Sequence, residues 1–176
     1  MQLDGKSVII NASTGQIIDY YIGTDNLDLL TLWNGDNAMS GFQSIIPGRS
    51  IGEIFLKAKE EEVLSKIGHE YVKEERSESC YVYHLRSMMI WISKKTKRVY
   101  QISVGAGFHG YYQNRITVGS KFEELESMGI IYCANETIPV YMIEGINGIC
   151  FELEDDVSID EVEDLGKKRI SWISIF

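Results

Sequence analysis

The feature that most constrains this chain is one order of signals that runs through it twice. Residues 46–112 and 113–176 each open on a short alternating run, Ile54-Phe55-Leu56 in one and Ile116-Thr117-Val118 in the other. Each continues into a charged stretch that ends at a glycine, Lys59 to Gly68 and Lys121 to Gly129. Glu60 to Glu62 and Glu123-Glu124 fall where first-turn carboxylates suit the helix dipole. Gly68 and Gly129 fall where a left-handed residue ends a helix without a Cβ penalty. Leu64 and Leu125 precede those glycines by one helical turn, on the face a core would use.

Three strands are expected after each helix. In the first segment they are Cys80–Leu85, Met89–Ser93 and Arg98–Val104; in the second, Ile138–Ile143, Ile149–Leu153 and Arg169–Ile175. The last pair aligns without a gap, Arg98-Val99-Tyr100-Gln101-Ile102-Ser103-Val104 on Arg169-Ile170-Ser171-Trp172-Ile173-Ser174-Ile175. The expected fold class is α+β: two tandem helix-plus-antiparallel-meander repeats, 46–112 and 113–176, forming one sheet-based domain. An N-terminal β extension, 1–45, precedes them. In it Ser7–Asn11 and Gln16–Ile22 read as two strands around the turn Ala12-Ser13-Thr14-Gly15, and Asp25–Trp33 as a short helix or a third strand.

Side chains alternate along strands, so this alignment predicts faces. Val82, Ile90, Ile92, Ile102, Val104, Val140, Met142, Ile149, Phe151, Ile173 and Ile175 are expected to pack under the helices. The opposite face would then carry Tyr81, Tyr83, Met89, Trp91 and Gln101 from the first segment, with Tyr141, Cys150 and Trp172 from the second. Tyr and Trp are enriched at protein interfaces, and a contiguous aromatic surface usually marks a binding site. Tyr81, Tyr83, Trp91, Tyr141 and Trp172 are therefore candidate partner-binding residues. The alternative is that 1–45 or a second subunit covers this face as ordinary core.

The formal net charge is −9, which argues against nucleic acid, since phosphate neutralisation needs clustered cations. Acid concentrates in Glu152, Glu154, Asp155, Asp156, Asp160, Glu161, Glu163 and Asp164, with no Lys or Arg between them. The functional reading of that stretch is an acidic arm that meets a basic partner; the alternative is a solvated hairpin insertion. The arm lacks the sixth-position glycine and the ligand spacing of an EF-hand. Cys80, Cys133 and Cys150 have neither metal-ligand nor disulfide-framework spacing and read as small strand hydrophobes. The opening residues have no basic region leading into a long apolar run, and no stretch approaches the about 18 apolar residues of a spanning helix. A cytoplasmic protein with no membrane partner is expected.

Gly105-Ala106-Gly107-Phe108-His109-Gly110 has dinucleotide-fingerprint spacing, but Tyr111 to Val118, directly after it, reads as strand and offers no helix N-terminus to a pyrophosphate. The glycine-rich run reads as a flexible link between the two segments. His69, His84 and His109 lack ligand spacing, and no nucleophile-elbow or Cys–His arrangement is present. No catalytic residue, metal site or cofactor is expected.

A short opening strand, one helix ending in Gly and a three-stranded run finishing in V/I-x-x-I-x-V/I resembles the unit of the outer-membrane assembly lipoprotein family, which in tandem also builds the β-lactamase inhibitor protein. The resemblance covers about 46–176 and implies a protein that acts by holding other proteins on a concave sheet. The chain departs from that family in having no lipobox cysteine, no disulfide-spaced cysteines and an unmatched N-terminal segment. By class and charge it is also similar to immunity proteins of bacterial toxin systems. The expectation is a non-catalytic protein-binding inhibitor of immunity type, neutralising a basic toxin or nuclease by occlusion. A small-molecule binding or sensing module on the same face, or a self-associating structural subunit, are the alternatives.

Overall fold

The computed structural model describes residues 6–11, 17–22, 43–135, 138, 140–154 and 162–176. The chain runs as strands β1 (Lys6–Asn11), β2 (Ile17–Ile22), β3 (Gln43–Ile46), β4 (Ser50–Ile51) and β5 (Ile54–Phe55), then helix α1 (Glu60–Ile67). Next come β6 (Val72–Glu75), β7 (Cys80–Leu85), β8 (Met88–Ser93), β9 (Val99–Val104) and β10 (Gly110–Tyr112), then α2 (Glu123–Ser127). The chain closes with β11 (Tyr132–Ala134), β12 (Tyr141–Ile143), β13 (Ile149–Leu153), a 3₁₀ turn over Val162–Lys167, and β14 (Ile170–Ile175).

The strands form a 10-stranded sheet in the order β11-β12-β13-β14-β9-β8-β7-β6-β1-β2 and a 4-stranded sheet in the order β10-β3-β4-β5. This corrects the expected fold class. The protein is a sheet-dominated fold and not an α+β array of tandem helix-plus-meander repeats: α1 has 8 residues and α2 only 5. The second sheet decides the matter, because its strands ignore the expected unit boundaries. β10, at the end of one segment, pairs in parallel with β3, which straddles the boundary between extension and first segment. Ile116-Thr117-Val118 is not an opening strand; Ile116 makes only an isolated bridge to Tyr112. The physical cause is composition. Short runs such as Gln43–Ile46 and Gly110–Tyr112 are too brief for helices and satisfy their backbone groups by pairing with each other.

Local structure agrees with the sequence better than the architecture does. β7 and β13 form with the predicted bounds, and α1 and α2 lie inside the predicted stretches. Gly68 and Gly129 take φ of 68° and 71°, ending each helix as an L-residue could not without strain. The Glu62 carboxylate accepts from the Lys59 N–H at 3.2 Å, and the Glu124 carboxylate from the Lys121 N–H at 2.9 Å, relieving orphan donors at the helix starts. β6 and β11 are additions that the sequence pattern does not announce. Two expected strands form as β1 and β2, while Ala12 to Gly15 and Asp25–Trp33 lie outside the described residues.

One hydrophobic core joins the two sheets and the helices. Ile45, Ile51 and Ile54 of the small sheet, with Val63, Phe122 and Leu125, meet Ile90, Ile92, Ile102, Val104, Ile149, Phe151, Ile173 and Ile175 of the large one. The other side of the large sheet is its outer face. Among the described residues no helix is long and apolar enough to cross a membrane.

Candidate functional site

Pairing registers assign the outer face residue by residue. Directly opposed residues in an antiparallel pair point to the same side. Trp91 opposes Val82 on β7 and Gln101 on β9; Ser103 opposes Ser174 on β14; Trp172 opposes Glu152 on β13; and Cys150 opposes Met142 on β12. Met89, Trp91, Gln101, Cys150 and Trp172 thus share the outer face, as the sequence implies. Trp91 and Trp172 are half-buried there, two strands apart.

Three of the expected aromatics are on the other side. Tyr81 opposes Ile92, Tyr83 opposes Ile90, and Tyr141 opposes Phe151, so all three face the core. Tyr81 and Tyr83 are 1% and 2% exposed. Val82 and Met142, expected inside, sit on the outer face instead. The reason is the Arg86-Ser87 loop: two residues between Leu85 and Met88 place those two opposite each other and fix every pair before them. That loop length is a signal present in the sequence. For Tyr141 the connection to β13 is longer and carries none.

Burying the tyrosines is possible because their hydroxyls find a charge. The Tyr83 hydroxyl donates to the Glu60 carboxylate at the start of α1, and Lys73 and Lys97 stand 3.7 and 4.0 Å from the same group. The Lys73 ammonium also lies 3.7 Å from the centre of the Tyr81 ring, a cation–π contact. Burial works to raise the Glu60 pKa, but hydrogen bonds from Tyr81 and Tyr83 and the two lysine charges outweigh it and hold the carboxyl below its usual range. Burial first, then the bond to Glu60, pushes both phenols above theirs. Tyr141 packs its ring on Phe122 at 4.8 Å. This cluster is structural, and sequence reasoning missed it because α1 and β7 meet only in the tertiary fold.

On the outer face, Trp91 meets Tyr100 edge-on at 6.4 Å, and the Arg76 guanidinium lies 5.6 Å from the Trp91 ring centre. The Trp91 indole N–H is buried without an acceptor among the described residues. Glu74 accepts from Arg76 at 3.1 Å and pairs with His84 Nε2 at 2.6 Å, a second group the sequence does not announce. Nearer the middle, Gln101 donates to Ser103 at 3.1 Å, and Ser103 and Ser174 share a hydrogen bond of 2.8 Å across β9 and β14. Burial, with the nearby Glu152 charge, pushes the Cys150 thiol up to about 11, which makes it a poor nucleophile at neutral pH. Gly105 lies under the Trp172 ring, whose carbons come within 2.8 Å of where a Cβ would stand.

The acidic residues divide. Glu152 is half-buried on the outer face and Glu154 is exposed at the end of β13. Asp155, Asp156, Asp160 and Glu161 lie outside the described residues, and Glu163 and Asp164 belong to the 3₁₀ turn. The glycine-rich stretch before β10 leads into a strand, so its spacing presents no helix N-terminus to a phosphate. Compared with family models, curated proteins and solved structures, the chain matches none.

Proposed function

We propose that this chain is a non-catalytic protein-binding inhibitor, of immunity type, that occludes a basic toxin through the outer face of its large sheet. The observation that carries the reading is the placement of Trp91 and Trp172 on the face turned away from the core, both half-buried. Large rigid aromatics anchored in a sheet are the usual energetic centres of protein interfaces. The net charge of −9 supports a basic partner, because complementary charge speeds encounter and sets specificity. In this reading the 152–164 stretch supplies the electrostatics, and Tyr81, Tyr83 and Tyr141 act from the core by holding the sheet. An intracellular location belongs to the same proposal.

The test is capture of partners from host lysate by tagged protein at low salt, beside the Trp91→Ala/Trp172→Ala double variant. A basic protein retained by the parent, eluted by salt and lost from a variant of unchanged thermal stability would support the reading. Equal retention by both would assign binding to another surface and refute it. Reversing the charge of four acids in 152–164 should slow association and flatten its salt dependence.

A further inference from the structure

Among the described residues, the outer face carries a charge without a counter-charge. Across β9, β12, β13 and β14 the one charged residue is Glu152. Among the described residues, the other carboxylates withdrawn from solvent have partners: Glu60 with Lys73, Lys97 and Tyr83, Glu74 with His84 and Arg76, and Glu124 with the Lys121 N–H. Among the described residues Glu152 has neither a cation nor a hydrogen-bond donor. The polar groups beside it are engaged with one another, Gln101 with Ser103 and Ser103 with Ser174. Arg169, at the start of β14, donates to the Gly119 carbonyl at 2.7 Å instead. Withdrawing a carboxylate from water without a partner costs stability, and burial alone holds its pKa above the usual range.

Directly across the strand pair from Glu152 stands Trp172, its ring laid against the backbone at Gly105. A half-buried carboxylate directly across the strand pair from an indole that packs on Gly105 suits one chemical group best. A guanidinium stacks on an indole and donates two parallel N–H bonds to a carboxylate, which an ammonium cannot reproduce. We infer that Glu152 and Trp172 form the seat for an arginine side chain of the partner protein. This rests on the proposed function and names the partner chemistry that would occupy its face.

The probe is N-acetyl-arginine methylamide, with the neutral isostere N-acetyl-citrulline methylamide as control, titrated into the whole chain and followed by tryptophan fluorescence. The parent should prefer the arginine probe by about tenfold, the scale of a hydrogen bond to a charged group. Glu152→Gln should abolish the preference while melting no lower than the parent. Carbon NMR of the Glu152 carboxyl supplies a readout that needs no variant: the arginine probe should lower its titration midpoint. Equal binding of the two probes, a preference that survives Glu152→Gln, or an unmoved midpoint would each overturn the inference. Its failure and that of the function are separable. Partner capture dependent on Trp91 and Trp172 without an arginine preference sinks only the seat. An arginine preference with partner capture indifferent to the tryptophans sinks only the proposed function.

Discussion

Gly105→Ala tests the outer face through its packing. A Cβ at this position would lie 2.8 Å from two carbons of the Trp172 ring and 2.9 Å from a third. Carbon atoms rest at about 3.5–4.0 Å, so the indole must retreat by roughly 0.7 Å or more. Overpacking of this kind costs about 1–3 kcal/mol. Opposing it, replacing Gly by Ala lowers the entropy of the unfolded chain and stabilises by about 0.4–1 kcal/mol. The net expectation is a loss of about 0.5–2 kcal/mol. At about 2–4 °C per kcal/mol for a chain of this size, Tm should fall by about 1–8 °C. In a Trp172→Ala background the ring is gone and only the unfolded-state effect remains. There the same Gly105→Ala change should stabilise, by about 0.4–1 kcal/mol. Urea unfolding of the parent, both single variants and the double variant closes the cycle. If Gly105→Ala destabilises equally in both backgrounds, the cost is backbone strain, and Trp172 does not lie where its contact with Gly105 places it.

Three other perturbations have defined outcomes. Gly148 has φ of 83°, and a Cβ there would stand 2.6 Å from the Gly48 Cα, so Gly148→Ala should cost about 3 kcal/mol or more in urea unfolding, combining left-handed strain with a backbone clash. The Glu60 carboxyl is held below its unfolded value, so it binds its proton later in the folded state and supports stability at neutral pH. That support is lost as pH falls below about 4.5, and Glu60→Gln should flatten this acid limb of Tm against pH while lowering Tm at pH 7. With a thiol reagent at pH 8, exposed Cys133 should label first and buried Cys150 last; rapid loss of the Cys150 thiol in folded protein would contradict its burial.

Much of the local structure is legible in the sequence. The turn between Leu85 and Met88, the glycines at 68 and 129 and the first-turn glutamates each carry their own physics in a few residues. So does the alternation along Trp172–Ile175, although a bulge before Trp172 brings Ile170 to the core side as well. The candidate site is half legible. Trp91 and Trp172 fall on the correct side because each adjoins isoleucine that is plainly core, Ile90 and Ile92 beside Trp91 and Ile173 beside Trp172. Alternation alone misplaces Tyr81 and Tyr83, whose side follows from the two-residue loop that sets them opposite Ile92 and Ile90, and Tyr141, for which a tyrosine's fit to either face leaves no such signal. The partner for Tyr83 is Glu60, 23 residues away in sequence and on a helix. Glu74, His84 and Arg76 converge for the same non-local reason.

Sequence alone determined the charge, the strand-forming runs, the helix stops and which side chains alternate together, since each depends on neighbours within a few residues. Tertiary structure decided that β3 pairs with β10 to make a second sheet, that the Tyr83 hydroxyl meets Glu60, and that Glu152, across from Trp172, has no cation among the described residues. Those outcomes depend on strand register and on contacts between distant segments. Alternation offers each strand two faces, and only the neighbouring strand and the layer packed over it choose between them.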